Sequence, residues 1–229
     1  RIAIGVFSGL AILAGSELLR TRSDGWFTDG VAAIGAGVLY LTIWGAVVRY
    51  SLISVPTGLA LMVVVVGIAV TLALRHEAQA LLVLATIGGY LAPSVLPGDT
   101  GFAETGFWVY ITVVNGGLLA ASAKTRWPRL KLLVLVCAVL LIPSHVLGAT
   151  ARTAPWVFLF LSANFLVFLG IGTAYPLRCR VSASPWDIVY FCGVPGGYLL
   201  GGVHVLQMRG AWPDGALAIA LAILYLALY

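Results

Sequence analysis

Residues 52 to 74 read LISVPTGLALMVVVVGIAVTLAL, an apolar run without a charged side chain. An α-helix needs about 20 predominantly apolar residues to cross the hydrocarbon core of a bilayer. The run is continuously apolar, whereas the strands of a membrane barrel alternate between apolar and polar residues. Residues 52 to 74 are therefore predicted to form a transmembrane α-helix.

Eight more runs of the same kind occupy most of the chain. Hydrophobic residues make up 61% of the sequence and charged residues 9%, and the mean hydropathy is +1.05. A water-facing surface of ordinary size cannot be built from this composition. The predicted fold is all-α, a polytopic integral membrane helical bundle with about eight full transmembrane helices and a partial ninth, in a single transmembrane domain over residues 1–229. The predicted spans are residues 2–19, 27–48, 52–74, 78–96, 103–123, 131–147, 154–176, 186–208 and 215–229.

The two ends of the sequence lie in or next to apolar runs. The chain opens on Arg1 rather than Met, and the ninth run reaches Tyr229 without a polar flank. The first run lacks the basic n-region and the small-residue cleavage site of a signal peptide. We expect the chain to be part of a longer protein.

The distribution of Lys and Arg predicts the orientation. Nine of the 13 basic residues fall in links on the face reached at the end of the first span, here called side A, and four fall on the opposite face, side B. Basic residues are enriched in cytoplasmic loops, and Trp gathers at both interfaces. Trp residues near the predicted span ends agree with these boundaries. Side A is thus predicted to be cytoplasmic and the N-terminus to lie outside, in a bacterial inner membrane.

The net charge of +5 does not indicate nucleic-acid binding, because the basic residues are spread over several links. The densest group, from Lys124 to Lys131, joins the fifth and sixth spans on side A. Basic residues near a membrane surface attract anionic headgroups. The lipid bilayer is therefore the predicted partner, and no nucleic acid is expected.

Motifs for catalysis and cofactor binding are absent from the sequence. It contains no GxSxG, P-loop or HExxH pattern, and only eight acidic residues. Cys137, Cys179 and Cys192 show no CxxC or Cys/His ligand spacing, so they are interpreted as buried or free thiols. No catalytic residue, cofactor or metal is predicted, and the sequence favours a protein that is not an enzyme without deciding the matter.

Three stretches carry a resemblance to a known family. They are LRHEAQALLVLATIGGYLAP at residues 74–93, Glu17-Leu-Leu-Arg20, and Gly37-Val-Leu-Tyr-Leu-Thr42. The chain resembles the bacterial "predicted membrane protein" family, domain of unknown function twenty-three thirty-nine, best over residues 1–125. The resemblance implies a helical membrane protein that is usually longer, and it implies no activity, substrate or catalytic set.

Polar residues at membrane depth are the strongest pointers to a site, since they cost free energy unless they find a partner. Asn115 and Asn164 fall near the middle of the fifth and seventh spans, and His145 and His204 fall toward the side B ends of the sixth and eighth. They could bind a ligand, relay protons or hold a haem or metal. The plainer interpretation is that each hydrogen-bonds a neighbouring helix.

A second candidate is the side A link Arg75-His76-Glu77, where an imidazole beside a carboxylate could accept and pass a proton. The alternative is a solvated turn whose charges keep the helix ends among the headgroups.

Glycine patterns predict helix packing and an internal repeat. Gly193, Gly197 and Gly201 recur at every fourth position, which lets another helix approach closely, and Gly5 and Gly9 do the same in the first span.

Gly88-Gly-Tyr-Leu91 reappears as Gly196-Gly-Tyr-Leu199. Pro93 and Pro195 lie close to the two copies. The offset of 108 residues suggests a parallel duplication of residues 1–96 and 103–208, in which paired helices interrupted by Gly and Pro would flank a central site.

Three functions stay open on this sequence. The leading interpretation is a structural or accessory subunit of a membrane assembly, which docks other membrane subunits through its Gly-rich faces. The first alternative is a transporter or lipid-handling protein with a polar, water-accessible site lined by Asn115, Asn164, His145 and His204. In this alternative Pro143 and Pro195 locally interrupt their helices. The second is a membrane enzyme or redox module with a cofactor between His145 and His204.

Overall fold

The computed structural model describes residues 1–20, 25–95, 101–125, 127–179, 185–208 and 216–228. Within these ranges the chain forms nine helices joined by short links, and no strand. The prediction of an all-α membrane bundle is confirmed, and each helix begins and ends within about three residues of its predicted span. The helices are α1 (Ile2–Leu19), α2 (Gly25–Trp44, continued by a π turn, Gly45–Arg49), α3 (Val55–His76), α4 (Gln79–Val95), α5 (Gly101–Thr125), α6 (Pro128–Leu147), α7 (Ala154–Cys179), α8 (Pro185–Gln207) and α9 (Ala216–Leu228).

Seven of the described helices are long and apolar enough to cross a bilayer, and α4 and α9 are apolar but shorter. The α4 helix has 17 residues. At 1.5 Å per residue it extends about 25 Å, slightly less than the hydrocarbon thickness of about 30 Å. The helix predicted as the fourth full span is therefore present but marginal in length.

The α3 helix has a defined signal at each end. Ser54 is its N-cap and accepts a hydrogen bond from the Thr57 backbone N–H at 3.4 Å. Glu77 is its C-cap, with a φ of 55° and its backbone N–H bonded to the Ala73 carbonyl. Arg75 and His76 thus belong to the last helical turn, and only Glu77 of the predicted link lies outside the helix.

Three prolines lie inside helices that continue through them. They are Pro93 of α4, Pro143 of α6 and Pro195 of α8. A proline removes the donor for the carbonyl four residues earlier, and a membrane helix continues when another group replaces that donor. For Pro195 this carbonyl belongs to Phe191, and the Tyr225 hydroxyl of α9 donates to it at 3.5 Å. The expected interruptions at Pro143 and Pro195 therefore do not divide α6 or α8.

The chain divides into two compact units, Arg1–Thr125 with α1 to α5 (unit 1) and Arg126–Tyr229 with α6 to α9 (unit 2). The boundary falls in the link between α5 and α6. A duplication of four plus four helices would place it between α4 and α5, and that duplication stays a prediction.

In unit 1, α3 packs against α2, α4 and α5, and α1 lies along α2. The backbones of α1 and α2 approach each other closely at Gly9 and Gly35. A Cβ built on Gly35 would lie 3.0 Å from the Leu13 backbone nitrogen and 3.2 Å from the Gly9 carbonyl oxygen. Glycine is therefore required there because the two backbones nearly touch.

In unit 2, α8 packs against α6, α7 and α9. Three of its glycines mark these contacts: a Cβ on Gly193 would lie 3.0 Å from a Leu135 methyl of α6, and one on Gly202 would lie 2.7 Å from a Leu217 methyl of α9. At Gly201 the nearest atom is a Leu161 methyl of α7, at 3.1 Å. Small residues on α8 thus let three helices of the same chain approach it.

Candidate functional site

A cavity of about 410 Å³ lies between α6, α7 and α8 and is here called the unit 2 cavity. Small-molecule sites usually have volumes of about 300 to 1,000 Å³. Only three of its lining side chains carry polar atoms, and the remainder are aliphatic, aromatic, proline or glycine. The lining residues are Leu135, Ala138, Val139, Ile142, Pro143, Val146, Leu147, Leu161, Asn164, Phe165, Phe168, Gly193, Val194, Gly197, Tyr198, Leu200, Gly201 and His204.

The α8 residues that line the unit 2 cavity run from Gly193 to His204. At one end Leu135 of α6 lies against Gly193, and toward the other end a Cβ on Gly201 would lie 3.8 Å from Val146 of α6. From Gly193 to His204 the rise of an α-helix gives a length of about 16 Å. These limits are called the Gly193 end and the His204 end.

Gly197 explains why space remains midway along the cavity. A Cβ built on Gly193 or Gly201 would touch a neighbouring helix, whereas one built on Gly197 meets no atom within 4 Å. The predicted stripe of three glycines therefore combines two close contacts with one opening. The stripe lines the cavity together with Asn164 and His204.

The three polar side chains of the cavity differ in their bonding. Asn164 is 2% exposed, and its Nδ2 donates to the Phe160 carbonyl at 2.9 Å. The Tyr198 hydroxyl is 2.8 Å from the Ser162 hydroxyl, and the Tyr198 ring stacks on Phe165 with centroids 4.5 Å apart. His204 Nε2 is buried without a hydrogen-bond partner among the described residues.

An aromatic layer and a buried ion pair lie beyond the Gly193 end. Phe168 lines the cavity and stacks on Tyr190, whose hydroxyl donates to the Phe168 carbonyl at 2.7 Å. Lys131 Nζ lies 5.6 Å from the centre of the Tyr190 ring and 2.7 Å from Asp187 Oδ1. Lys131 and Asp187 are each 8% exposed. The first turns of α6 and α8 are therefore fixed to each other on the side opposite His204.

The ion pair changes the interpretation of the basic group from Lys124 to Lys131. Lys131 is engaged by Asp187 rather than presented to lipid headgroups. Arg129 is exposed, and the side chains of Lys124 and Arg126 lie outside the described residues. The spacing of 56 residues between Lys131 and Asp187 gives no local sign of their pairing.

Two of the four predicted intramembrane polar residues lie away from the cavity. Asn115 belongs to unit 1, where it is fully buried and its Oδ1 accepts a hydrogen bond from the Tyr90 hydroxyl. This is the interhelical bond that the plainer interpretation describes. His145 lies partly buried on α6 and does not line the cavity.

The carboxylate that faces His76 comes from a distant part of the sequence. His76 Nε2 lies 2.8 Å from Glu17 Oε1 of α1, and nearby Arg20 pairs with Asp29 of α2. Glu77, the neighbour in sequence, instead caps α3. Only the alternation of span directions could have placed Glu17 and His76 at the same membrane face.

Among the described residues, the remaining titratable and thiol groups form no recognisable metal centre. Cys137 and Cys192 are free thiols, and the Cys179 side chain lies outside the described residues. Within the part of the chain that the structure describes, no three His, Cys, Asp or Glu side chains are close enough to hold a metal ion. The described geometry therefore offers an apolar cavity, not a ligand set.

Comparison with known proteins identifies the family. The family model described as "Predicted membrane protein (DUF2339)" matches residues 1–229, so the match extends well beyond the stretch over residues 1–125. No curated protein and no solved structure matches the chain. The helices of membrane-spanning length agree with the family description. The chain belongs to the predicted membrane protein family DUF2339.

Proposed function

We propose that this protein is a lipid-handling membrane protein that binds an apolar molecule inside the bilayer. The observation that carries the proposal is the unit 2 cavity, whose wall is almost entirely hydrocarbon. An apolar cavity favours an apolar occupant because a polar solute would lose its hydration without gaining hydrogen bonds. A transporter of hydrophilic solutes would need more polar groups than the cavity supplies.

The rim of the cavity supports access from the hydrocarbon. Val139 is 51% exposed, Leu147 67% and Leu200 76%, and all three line the cavity. Exposed apolar side chains within transmembrane helices are compatible with lipid and costly in water. A molecule dissolved in the bilayer could therefore enter sideways without crossing an aqueous phase.

The accessory-subunit interpretation receives less support. It rested on smooth glycine faces that could dock other subunits, but Gly9, Gly193 and Gly201 each contact a helix of the same chain. The redox interpretation needs a cofactor between His145 and His204, and His145 does not line the cavity. Both remain untested predictions with weaker geometric support than lipid handling.

The proposal is tested by filling the cavity. Gly197 lines the cavity, and a Cβ added there meets no atom within 4 Å, so the leucine of Gly197→Leu would fill cavity space. Gly196→Leu is the matched control, because its Cβ also meets nothing within 4 Å and Gly196 does not line the cavity. Both changes add the same side chain to the same helix, so a difference in ligand labelling between the two variants measures the effect of filling the cavity.

The assay is photo-crosslinking in lipid nanodiscs with a fatty acid that carries a diazirine in its chain, followed by mass spectrometry of the labelled peptides. We expect labelling of cavity residues in the wild-type protein and in Gly196→Leu, and a loss of most labelling in Gly197→Leu. Equal labelling of the two variants would refute the proposal.

We also propose that side A is cytoplasmic in a bacterial inner membrane, on the strength of nine basic residues against four. In a cysteine-free chain, Arg126→Cys should react with a membrane-impermeant thiol reagent only after the cells are permeabilised. Labelling in intact spheroplasts would mean that side A faces the outside, contrary to the proposal.

A further inference from the structure

We infer that the unit 2 cavity opens to one leaflet only, and that its occupant is an acyl chain of a lipid whose headgroup stays at the side B surface. The inference rests on the proposed function and adds the source of the ligand and the end from which it enters. With side A cytoplasmic, as proposed above, this source is the outer leaflet of the inner membrane.

The exposed part of the cavity wall lies toward one end of its helices. Five of the lining residues named above are exposed, and all of them lie in the second half of α6 or α8. They are Val139, Pro143 and Leu147 of α6 and Gly197 and Leu200 of α8. The hydrocarbon around the protein therefore reaches the cavity along that half of the two helices.

Contacts between α6 and α8 give their relative direction. Lys131 bonds Asp187 near the start of both helices, and a Cβ on Gly201 would lie 3.8 Å from a Val146 methyl near their ends. The two helices thus run in the same direction. Since both start on side A in the predicted topology, the opening lies in the side B half of the bilayer.

The cavity is closed toward side A. At its Gly193 end a Leu135 methyl lies 3.0 Å from the position of a Cβ on Gly193, and Val194 is buried. Beyond this contact, Lys131 and Asp187 are paired at 2.7 Å and both are buried. A lipid in the side A leaflet therefore meets packed side chains where a lipid in the side B leaflet meets an opening.

The α7 residues that line the cavity form its buried floor. They are Leu161, Asn164, Phe165 and Phe168. Leu161 lies at the level of Gly201 and Phe168 at the level of Tyr190, so Leu161 is the end of the floor nearer side B. The rise of an α-helix separates the two residues by about 10 Å. Bulk lipid does not reach this floor, so a probe that labels it has entered the cavity.

The polar atoms of the wall give a headgroup no binding site among the described residues. Asn164 Nδ2 donates to the Phe160 carbonyl, the Tyr198 hydroxyl is 2.8 Å from the Ser162 hydroxyl, and His204 Nε2 is buried. A polar headgroup that entered the cavity would lose its hydration without replacement hydrogen bonds. The headgroup therefore stays at the side B surface, and only hydrocarbon enters.

The direction of entry is tested with pairs of probes that carry a diazirine either next to the carboxyl carbon or near the terminal methyl of an acyl chain. In nanodiscs we expect the first probe to label Leu161 at least threefold more than Phe168, and the second to favour Phe168 over Leu161. An equal or reversed preference would overturn the inference, because chains would then enter from side A or from both leaflets.

A fatty acid and a phospholipid share this chemistry, so each pair of probes is made in both forms. Labelling of the floor by the phospholipid pair would identify phospholipid as a source, and labelling by the fatty acid pair alone would identify free fatty acid. The expected order of Leu161 and Phe168 is the same for both forms, so either result tests the direction of entry.

For the phospholipid, the leaflet is tested directly in vesicles that hold the protein in one orientation, as determined by the reaction of Arg126→Cys with an impermeant thiol reagent. Cyclodextrin exchange places the probe in one leaflet. We expect the probe to label the floor at least fivefold more from the side B leaflet than from the side A leaflet. Trp186 and Ile188 are exposed in the first turn of α8 and should be labelled from side A, which confirms that the probe is present there. Equal or greater labelling of the floor from side A would overturn the inference.

The two proposals fail in different ways. If Gly197→Leu removes labelling of the floor while the order of Leu161 and Phe168 is reversed, the leaflet is wrong and lipid handling stands. If Gly197→Leu and Gly196→Leu label alike, both proposals are wrong.

Discussion

The Tyr110 hydroxyl of α5 donates a hydrogen bond of 2.7 Å to the backbone carbonyl of Gly89 in α4. This carbonyl is the one that Pro93, four residues later, leaves without a helical donor. Water is scarce at membrane depth, so an unpaired carbonyl there is costly. Tyr225 supplies the same kind of replacement to Phe191, four residues before Pro195. In both units a tyrosine from the next helix in sequence allows a proline-containing helix to continue.

Replacing Tyr110 by Phe should therefore lower the free energy of unfolding by about 1 to 3 kcal/mol, because the buried Gly89 carbonyl loses its donor. Thermal or denaturant unfolding in detergent measures the change. Tyr50→Phe is the control, since Tyr50 is 46% exposed and its loss should be nearly neutral.

A double-mutant cycle identifies the cause. Pro93→Ala restores a backbone N–H that can bond the Gly89 carbonyl, so Tyr110→Phe should cost markedly less in that background. An equal cost in both backgrounds would mean that Tyr110 contributes through packing, and the proline explanation would be wrong.

The spans could be predicted because their signal is local. The length and hydropathy of a run such as residues 154 to 176 are enough to predict a transmembrane helix, and α7 begins at Ala154 as predicted. The ends of helices follow from local chemistry too, as at Ser54, whose side chain accepts the Thr57 N–H. Pairings such as Lys131 with Asp187 could not be predicted, because they depend on which helices become neighbours.

The repeated Gly-Gly-Tyr-Leu motif illustrates the limit for the site. In α4 a Cβ on Gly88 would lie 3.6 Å from the Tyr40 ring, and Gly89 and Tyr90 both bond α5. In α8 the corresponding Gly196 and Gly197 meet nothing within 4 Å. The motif closes a contact in one unit, whereas in the other unit two of its residues, Gly197 and Tyr198, line a cavity. Sequence identifies glycines that permit close approach but not the ones that a neighbour reaches.

Substitution of Gly35 should separate α1 from α2. A Cβ at Gly35 would lie 2.9 Å from Leu13 Cγ and 3.0 Å from the Leu13 backbone nitrogen, and backbone atoms cannot move aside cheaply. We expect Gly35→Ala to reduce the free energy of unfolding by about 1 to 3 kcal/mol. Gly37→Ala on the same helix meets no atom within 4 Å and should be neutral or stabilising by up to about 1 kcal/mol. Similar effects of the two changes would contradict the close approach.

Glu77 offers a stabilising substitution. Its φ of 55° is in the left-handed region, where a side chain is disfavoured and glycine is not. Glu77→Gly should raise the free energy of unfolding by about 0.5 to 1 kcal/mol. Glu77→Ala removes the carboxylate but keeps the Cβ, so it should give no such gain. If both variants were equally stabilised, the charge of Glu77 would be responsible and not its backbone conformation.

Removing only one partner of the ion pair between Lys131 and Asp187 should strongly lower the free energy of unfolding. Both residues are buried, so Lys131→Met would leave a carboxylate buried without its cation. Removing one partner of a buried pair typically costs about 3 to 5 kcal/mol, whereas replacing both partners by apolar residues is often nearly neutral. Arg129→Met is the control, because Arg129 is exposed on the same helix and should contribute within about 0.5 kcal/mol.

The double variant Lys131→Met with Asp187→Leu separates attraction from burial. If the pair acts mainly by satisfying two buried charges, the double variant should recover most of the stability that Lys131→Met loses, as measured by unfolding in detergent. Labelling of the unit 2 cavity by the fatty acid probe should recover together with the stability, because α6 and α8 would again pack together beyond the Gly193 end. A double variant as unstable as the single one would show that the ion pair itself, through its contact with Tyr190, holds the two helices in place.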